Sequence, residues 1–421
     1  MIASVDRSHL SGEVYAPPSK SYSHRAILIT ALGPGGLVRR PLISADTKAT
    51  ISAATSLGAE VSLKEGDLSI VGVNGSPEAP EDVIDVLNSG TTLRFVSAVA
   101  ALTEGAVLTG DGSIRSRPNG PLIQALNDLG ATAFSIRAGG RAPLVIRGRL
   151  KGGLAKLDRG VSSQFLSALL TACPLSQGTT TIAVQGELKS KPYAEITLDM
   201  LNEAGASIEV SGNDYWMEGG QSYSLPEYDV PGDFSSTSYL LAAAAVTGSA
   251  LRIRGIRPSR QGDSAILDIL DRMGADIEWN KDAGDLRIAG SGLFGVEVDA
   301  SHIPDLVPTI AVLGSVAKGR TIIKNAEHVR HKETDRLQAM AQELSKMGAD
   351  IRERPDGLEI SGGDLKGARL SGHHDHRIVM ALTVAGMVAG DTVIEGAEAV
   401  DVSYPGFFQE MAGIGGQVAL E

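Results

Sequence analysis

Along this chain, long apolar runs alternate with shorter mixed segments on a nearly fixed beat. Six stretches open with polar or charged residues and then become almost wholly apolar: SKSYSHRAIL, NSGTTLRFV, SSQFLSAL, GDFSSTSYLL, IPDLVPTIAV and DHRIVMAL. They are read as helices ending near Gly35, Gly105, Gly178, Gly248, Gly319 and Gly390. Helices apolar around most of their circumference are buried, so their polar N-termini must emerge at a surface or cleft. A second phrase recurs between them: LGA at 57, LGA at 129, AGA at 204, MGA at 273, MGA at 347 and IGG at 414. The first five lead into β-like runs such as AEVSL and ADIEW, as a helix stopped by glycine and followed by a strand would do. Both series repeat about every seventy residues, the mark of one supersecondary unit used six times.

Three repeats precede the Gly, Pro and Tyr-rich stretch GGQSYSLPEYDVPGD at 219–233, and three follow it. The sixth stops at GQVALE without the strands that the others carry, and residues 1–16, strand-like and ahead of the first repeat, are expected to complete it. Two three-repeat domains result: 17–228, and a discontinuous one made of 1–16 plus 229–421. A cleft between two such domains is the expected ligand position.

The 421 residues, 43% hydrophobic and 21% charged, describe an ordinary globular chain with ample core. A net charge of −12 excludes a general binder of nucleic acid or anionic membrane, since those partners demand excess Lys and Arg. Positive sites must therefore be local. The single cysteine, Cys173, lies in the apolar run SALLTACPLS, where a buried structural thiol is expected; it permits no intrachain disulfide and fits a reducing cytoplasm. The opening MIASVDRSHLSGEVY has no apolar core of a signal peptide, and the apolar run YLLAAAAV is far too short to span a bilayer.

Local positive charge appears where a helix least favours it. HVRHKETDRL at 328–337 holds seven ionisable side chains in ten positions. Leu337, Met340, Leu344 and Met347 recur at helical spacing after it, which predicts a helix beginning near Glu333. On a first turn Glu333 and Asp335 suit the macrodipole, whereas Lys332 and Arg336 each cost about 0.3–1 kcal/mol unless something negative sits beside them. Lys20 and Arg25, Arg94, and His376 with Arg377 repeat this misfit at other helix starts. Ordinary Ser, Thr, Asn or Asp capping explains the polar residues there but not the cations. Several positive helix ends sharing one misfit point to a common anionic ligand.

The segments PPSKSYSHRA, LNSGTTLRF, RSRPNGPL, VSSQFLSALL, KSKPYAEITL, HIPDLVPTIAV, HKETDRL and DHRIVMAL, in this order across almost the whole chain, resemble the 5-enolpyruvylshikimate-3-phosphate synthase family of enolpyruvyl transferases. The resemblance implies an α/β (α+β) fold, a two-domain inside-out α/β barrel of six βαβαββ units with the active site in the interdomain cleft. It implies transfer of the enolpyruvyl group of phosphoenolpyruvate to the 5-hydroxyl of shikimate 3-phosphate, with release of phosphate through a tetrahedral intermediate. No cofactor and no metal are implied, so HHDH at 373–376 is not expected to be a metal site. The expected partners are these two small-molecule polyanions, for a cytoplasmic monomer without nucleic-acid or membrane partners.

Carried over motif by motif, the resemblance assigns Lys20, Ser21, Arg25, Ser162, Ser163, Gln164, Ser190, Tyr193, Asp305, His328 and Lys332 to shikimate 3-phosphate. It assigns Lys20, the backbone near Gly90, Arg94, Arg117, Gln164, Arg336 and Arg377 to phosphoenolpyruvate. Asp305 would accept the hydroxyl proton, and Glu333, Lys20 and His376 would handle protons at the methylene carbon. Guanidinium forks suit a carboxylate and a phosphate on three carbons, and hydroxyls with helix-end amides can surround a phosphate. Asp305 is also an N-cap candidate for LVPTIAVLG, and Ser162 can cap and bind at once.

Two positions depart from the family pattern. His328 stands where an asparagine is expected. Val402, in VSYP, stands where a lysine is expected, and no Lys or Arg occurs from Val388 to Glu421. Weaker phosphoenolpyruvate binding or a replacement cation follows. The sister family acting on UDP-N-acetylglucosamine shares the chemistry but commonly uses a cysteine in a mobile loop, for which Cys173 is misplaced. A non-catalytic sensor of phosphorylated metabolites would need the cations without Asp305, Glu333 and His376.

Overall fold

The computed structural model describes residues 1–158 and 162–421. In chain order its α-helices are α1 Lys20–Leu32, α2 Ala45–Ser56, α3 Gly90–Ala100, α4 Gly120–Asp128, α5 Ser163–Ala172, α6 Lys191–Glu203, α7 Phe234–Val246, α8 Ile266–Arg272, α9 Val307–Val316, α10 Arg336–Lys346, α11 His376–Ala389 and α12 Phe407–Gly413. The odd-numbered helices are the apolar series and are buried along nearly their whole length. The even-numbered ones are the series ending in the LGA-like phrase. Each is followed by a glycine with positive φ, from 87° at Gly348 to 101° at Gly415. A side chain with a Cβ adopts that conformation only under strain, which is why the stop recurs as glycine.

The apolar helices stop two to five residues before most of the glycines expected to end them. Gly35 and Gly105 open strands, Gly35–Arg39 and Gly105–Thr109, while Gly390 is the C-cap of α11. At Gly35 a Cβ would lie 2.2 Å from the Ile70 carbonyl oxygen, so close backbone approach fixes the residue as well as its φ of 111°.

Among the described residues there are six four-stranded sheets, each with one parallel and two antiparallel neighbour pairs. The second repeat shows the pattern undisturbed: strand Ile84–Asp85, α3, strand Gly105–Thr109, α4, then the hairpin Thr132–Arg137 and Arg141–Arg147. This is the βαβαββ unit. Three strands come from elsewhere in the chain. Ile2–Asp6 lies antiparallel between Thr392–Glu395 and Gln417–Leu420 and completes the sixth repeat. Ser11–Tyr15 instead runs parallel to Ala250–Arg254 and opens the fourth, so residues 1–16 serve two repeats and not the sixth alone. Glu227–Asp229 runs parallel to Gly35–Arg39 and opens the first.

The chain divides into two compact units, Pro18–Val230 and Met1–Pro17 with Pro231–Glu421. Each has its own apolar core, built from the odd-numbered helices and the inward faces of its sheets. Cys173 is fully buried at the end of α5, and burial pushes its thiol up to about 12, leaving it a packing residue. No helix among the described residues is long and apolar enough to cross a membrane.

Candidate active site

In the unit Pro18–Val230, the first turn of α3 gathers the first cationic group. Ser89 caps the helix by accepting from the Thr92 amide, which places Gly90 at its first position. Two guanidinium groups close on that glycine: a Cβ there would lie 2.7 Å from Arg117 Nη1 and 2.9 Å from Arg94 Nη1. Arg94 donates to Gln164 Oε1 on α5, and Gln164 Nε2 donates to Thr91 Oγ1 at 3.1 Å. The Arg94 guanidinium also stacks over the Phe165 ring at 5.6 Å. Arg117 is 5% exposed and donates from Nη2 to Ser113 Oγ at 2.8 Å, so it is not the solvated loop residue that SRPNG alone would suggest. Two cations, an amide and a helix N-terminus thus share one spot, an arrangement suited to a small anion. Ser162 caps α5 by accepting from the Gln164 amide at 3.3 Å, with Ser163 beside it; Val161, the first residue of that motif, lies outside the described residues.

Arg25 forms a second knot. Its Nε donates to Thr197 Oγ1 at 2.8 Å, Nη1 to the Ser21 carbonyl at 2.7 Å and Nη2 to the Tyr193 carbonyl at 2.8 Å. Its guanidinium also lies 5.2 Å from the Phe95 ring. Burial pushes it down to about 10. Arg25 therefore ties the start of α1 to the start of α6, where Ser190 holds a left-handed φ of 56°, and most of its fork is spent inside the protein. Lys20 stands apart from it, its ammonium 2.8 Å from the Asp46 carboxylate on α2.

In the other unit, Asp305 is the hub. It follows Pro304 in a single 3-10 turn that runs into α9, whose N-cap position is held by Leu306 and not by Asp305. It accepts from Arg336 Nη1 at 2.7 Å and from Arg377 Nη2 at 2.9 Å, with the Lys332 ammonium 3.8 Å away. Arg336, 1% exposed, also donates to Glu333 Oε2 at 2.7 Å and from Nε to Asp375 Oδ2 at 2.8 Å. Asp375 is itself fully buried and caps α11 by accepting from the Arg377 amide at 2.9 Å. His376, also buried, sits beside it, with Nδ1 4.0 Å from the Asp375 carboxylate. His328 is placed in the 3-10 turn Glu327–His331 that leads to Lys332.

This corrects two expectations. The helix expected from Glu333 begins at Arg336, because Asp335 caps it by accepting from the Gln338 amide. The cations also do not wait unpaired for a ligand: Asp375, Glu333 and Asp305 neutralise Arg336, and Asp46 neutralises Lys20. Burial opposes the charge on Arg336, yet these three carboxylates hold its guanidinium far above the usual range. Lys332 is pushed below the usual lysine range by burial against the pull of Asp305, with Arg336 and Arg377 adding to the push. A lysine poised in this way can gain a proton when an anion arrives. Buried Arg377 Nη1 has no acceptor at hydrogen-bond geometry among the described residues, and a guanidinium N–H left so is costly until an acceptor reaches it.

The motifs did not reveal Asp46, Asp375 or Asp263. Asp375 had a signal in its capping position before HRIVMAL; Asp46 and Asp263 had none. Asp263 is fully buried, accepts from the Ser235 hydroxyl, and is pushed up to about 7 by burial and then by Asp305, with Arg377 opposing.

Comparison with known proteins agrees with this chemistry. A family model described as EPSP synthase (3-phosphoshikimate 1-carboxyvinyltransferase) matches residues 5–411. A 3-phosphoshikimate 1-carboxyvinyltransferase of Methanothrix thermoacetophila is 69% identical over 418 residues, 99% of each chain. Another, from Methanococcoides burtonii, is 57% identical over 425 residues, covering 100% of this chain and 99% of its own. The solved structure of EPSP synthase from Acinetobacter baumannii superposes with a TM-score of 0.84 at 29% identity, over 100% of both chains.

Proposed function

The chain belongs to the EPSP synthase (3-phosphoshikimate 1-carboxyvinyltransferase) family, and we propose that its cationic groups receive the two anionic substrates of that family's reaction. It is an enolpyruvyl transferase of the shikimate pathway: the 5-hydroxyl of shikimate 3-phosphate adds to C2 of phosphoenolpyruvate while its methylene takes up a proton. The resulting ketal phosphate then loses phosphate and one methyl proton, restoring the carbon–carbon double bond as an enol ether.

The observation that carries the assignment is the crowding of Arg94 and Arg117 on Gly90 at a helix N-terminus. That spot is a receptor for the phosphate or carboxylate of phosphoenolpyruvate, and Gln164 orients Arg94 within it. Asp305 and Glu333, both partly exposed and both on Arg336, are the acid-base groups. Lys332, close to Asp305, is the cation that answers the developing charge. Arg25, with most of its donors engaged, shapes the pocket around Tyr193 and offers shikimate 3-phosphate only what remains of its fork. Ser21, Ser162, Ser163, Ser190 and His328 complete the acceptor's contacts, Arg336 and Arg377 those of phosphoenolpyruvate, and Lys20 serves both substrates; Lys20 and His376 handle protons at the methylene carbon. We assign the active enzyme as a cytoplasmic monomer.

A phosphate-release assay with phosphoenolpyruvate and each candidate acceptor tests this. Release that requires shikimate 3-phosphate supports the reading. Release only with UDP-N-acetylglucosamine transfers it to the sister activity, and none with either acceptor leaves a metabolite sensor.

A further inference from the structure

α1 and α2 face each other through two pairs of residues one turn apart: Lys20 and His24 on α1, Asp46 and Thr50 on α2. Lys20 Nζ lies 2.8 Å from Asp46 Oδ2, and His24 Nε2 lies 3.8 Å from the same oxygen. On its other side His24 Nδ1 is 2.6 Å from Thr50 Oγ1. Thr50 Oγ1 is 2.6 Å from Thr92 Oγ1, which is 2.6 Å from Ser89 Oγ, the cap of α3. His24, Asp46, Thr50, Thr92 and Ser89 are all buried, so no solvent competes for the hydroxyl bonds or screens the longer His24–Asp46 contact, which is electrostatic and not a hydrogen bond.

The polarity of the chain follows from its acidic end. A carboxylate near Nε2 favours the tautomer with its proton there, so Nδ1 accepts from the Thr50 hydroxyl. Thr50 then accepts from Thr92, and Thr92 from Ser89, whose oxygen is left to accept the Thr92 amide at 3.1 Å. Burial pushes the His24 imidazole down, and Asp46 pulls against it, so the neutral ring that this pattern needs is the favoured one. Burial likewise works to raise the Asp46 carboxyl, but Lys20 and then His24 hold it well below the usual carboxylate range. The charged groups facing this pair are few. α1 supplies Lys20, His24 and Arg25, and the other charged residue of α2, Lys48, is exposed. Arg94 on α3 is turned to Gln164, and Glu60, Lys64 and Asp85 on the neighbouring strands are exposed.

We infer that His24 is a positioning residue of the phosphoenolpyruvate site: through Asp46 it fixes the Lys20 ammonium, and through Thr50, Thr92 and Ser89 it ties that ammonium to the helix start at Gly90. Two groups assigned to one substrate, on separate helices, are thereby held in register by a side chain that touches no substrate. This rests on the assignment of Lys20 and Gly90 to phosphoenolpyruvate.

The two arms of the ring can be cut separately. In His24→Asn the amide oxygen stands near the former Nδ1 and keeps the hydroxyl arm; in His24→Gln the longer amide reaches toward Asp46 and keeps the carboxylate arm. His24→Leu keeps neither. His24→Leu should raise KM for phosphoenolpyruvate by about tenfold, short of the roughly 10²-fold that a 1 Å misplacement can cost, and KM for shikimate 3-phosphate, which shares Lys20 but not Gly90, by less. With the imidazole N–H that supports it gone, Asp46 should protonate more readily, moving the acid limb of kcat/KM toward higher pH. His24→Gln should return that limb toward wild type and His24→Asn should not. Asn and Gln variants with the same profile, or a Leu variant with the wild-type profile and KM, overturn the inference; should the Leu variant not fold, the Asn and Gln pair decides. Lys20→Ala with full activity instead removes the functional reading of Lys20. The pH-dependent 13C signal of methylated Lys20 in the unliganded His24 variants would still show whether His24 controls it.

Discussion

Replacing Arg336 by methionine removes a group that bonds three carboxylates at once. Its contacts to Asp305, Glu333 and Asp375 are 2.7, 2.7 and 2.8 Å. A pair of unit charges about 4 Å apart attracts by about 4 kcal/mol at an effective dielectric of about 20, so three carboxylates supply roughly 12 kcal/mol to offset the cost of burying the guanidinium. Methionine restores the volume but leaves Asp375, fully buried, with only the Arg377 amide among these donors. Removing one partner from a buried ion pair costs about 3–5 kcal/mol, and that is the loss expected for Arg336→Met. The loss should fall on the unit that holds residue 336, so a local reporter is needed. The sequence provides it: of its two tryptophans, Trp279 lies in that unit and Trp216 in the other. In a Trp216→Phe background, urea unfolding followed by Trp279 fluorescence reports the relevant transition. Asp375→Asn should cost less once Arg336 is already gone, so the double variant should fall short of the summed single losses by about 0.5–3 kcal/mol. A loss below about 1 kcal/mol for Arg336→Met, or strict additivity, would refute the view that these carboxylates offset a buried charge.

Gly90→Ala puts a methyl group 2.7 Å from Arg117 Nη1 and 2.9 Å from Arg94 Nη1; it should raise KM for phosphoenolpyruvate more than KM for shikimate 3-phosphate, as steady-state kinetics with each substrate varied will show. Asp263, pushed up to about 7, is protonated in the folded protein at pH values where the unfolded chain has already lost that proton. Its stabilising contribution is therefore complete below the unfolded value and falls by about 1.4 kcal/mol per pH unit as pH rises through that interval, so the unfolding free energy of Asp263→Asn should lack this slope and the difference between wild type and variant should carry it. Lys332 has a folded value below the usual lysine range, so binding of an anion beside it should take up a proton on the alkaline side; isothermal calorimetry in buffers of different ionisation enthalpy measures that uptake. Val402→Lys should tighten phosphoenolpyruvate binding, and an unchanged KM would mean that another cation already serves.

Periodicity made the fold legible. Buried helices need apolar residues on nearly every face, and a left-handed stop needs glycine, so both series were visible in composition alone. Strand partnership was less so. Ser11–Tyr15 reads as a strand, but nothing in its five residues says that its neighbour is Ala250–Arg254 and not the end of the chain. The candidate site was legible where a motif carried charge, as at Arg94, Arg117, Arg336 and Arg377, which the structure buries beside counter-charges or polar partners. The carboxylates that neutralise those charges were mostly not. Asp46 sits in a helix with an ordinary capping box, and its pairing with Lys20 exists only because α1 and α2 pack face to face. Counter-charges on different helices are chosen by tertiary packing, which leaves no spacing rule in the sequence. For the same reason the misfit of Lys332 and Arg336 with the macrodipole was a sound signal of nearby negative charge, but the protein supplies part of that charge itself.

The pairing of Ile2–Asp6 with Gln417–Leu420 also bears on how the chain can be recut. The Ile2 amide donates to the Glu421 carbonyl at 2.9 Å, as in an antiparallel hairpin whose turn has been left open. A short Asn-Gly link from Glu421 to Met1 would close it, and new termini between Val230 and Pro231 would make each compact unit one uninterrupted run of sequence. Such a circular permutant would keep every strand pair of the sixth sheet and would allow the 231–421 and 1–17 portion to be produced by itself, as a continuous polypeptide, for spectroscopy of the Asp305 and Arg336 cluster.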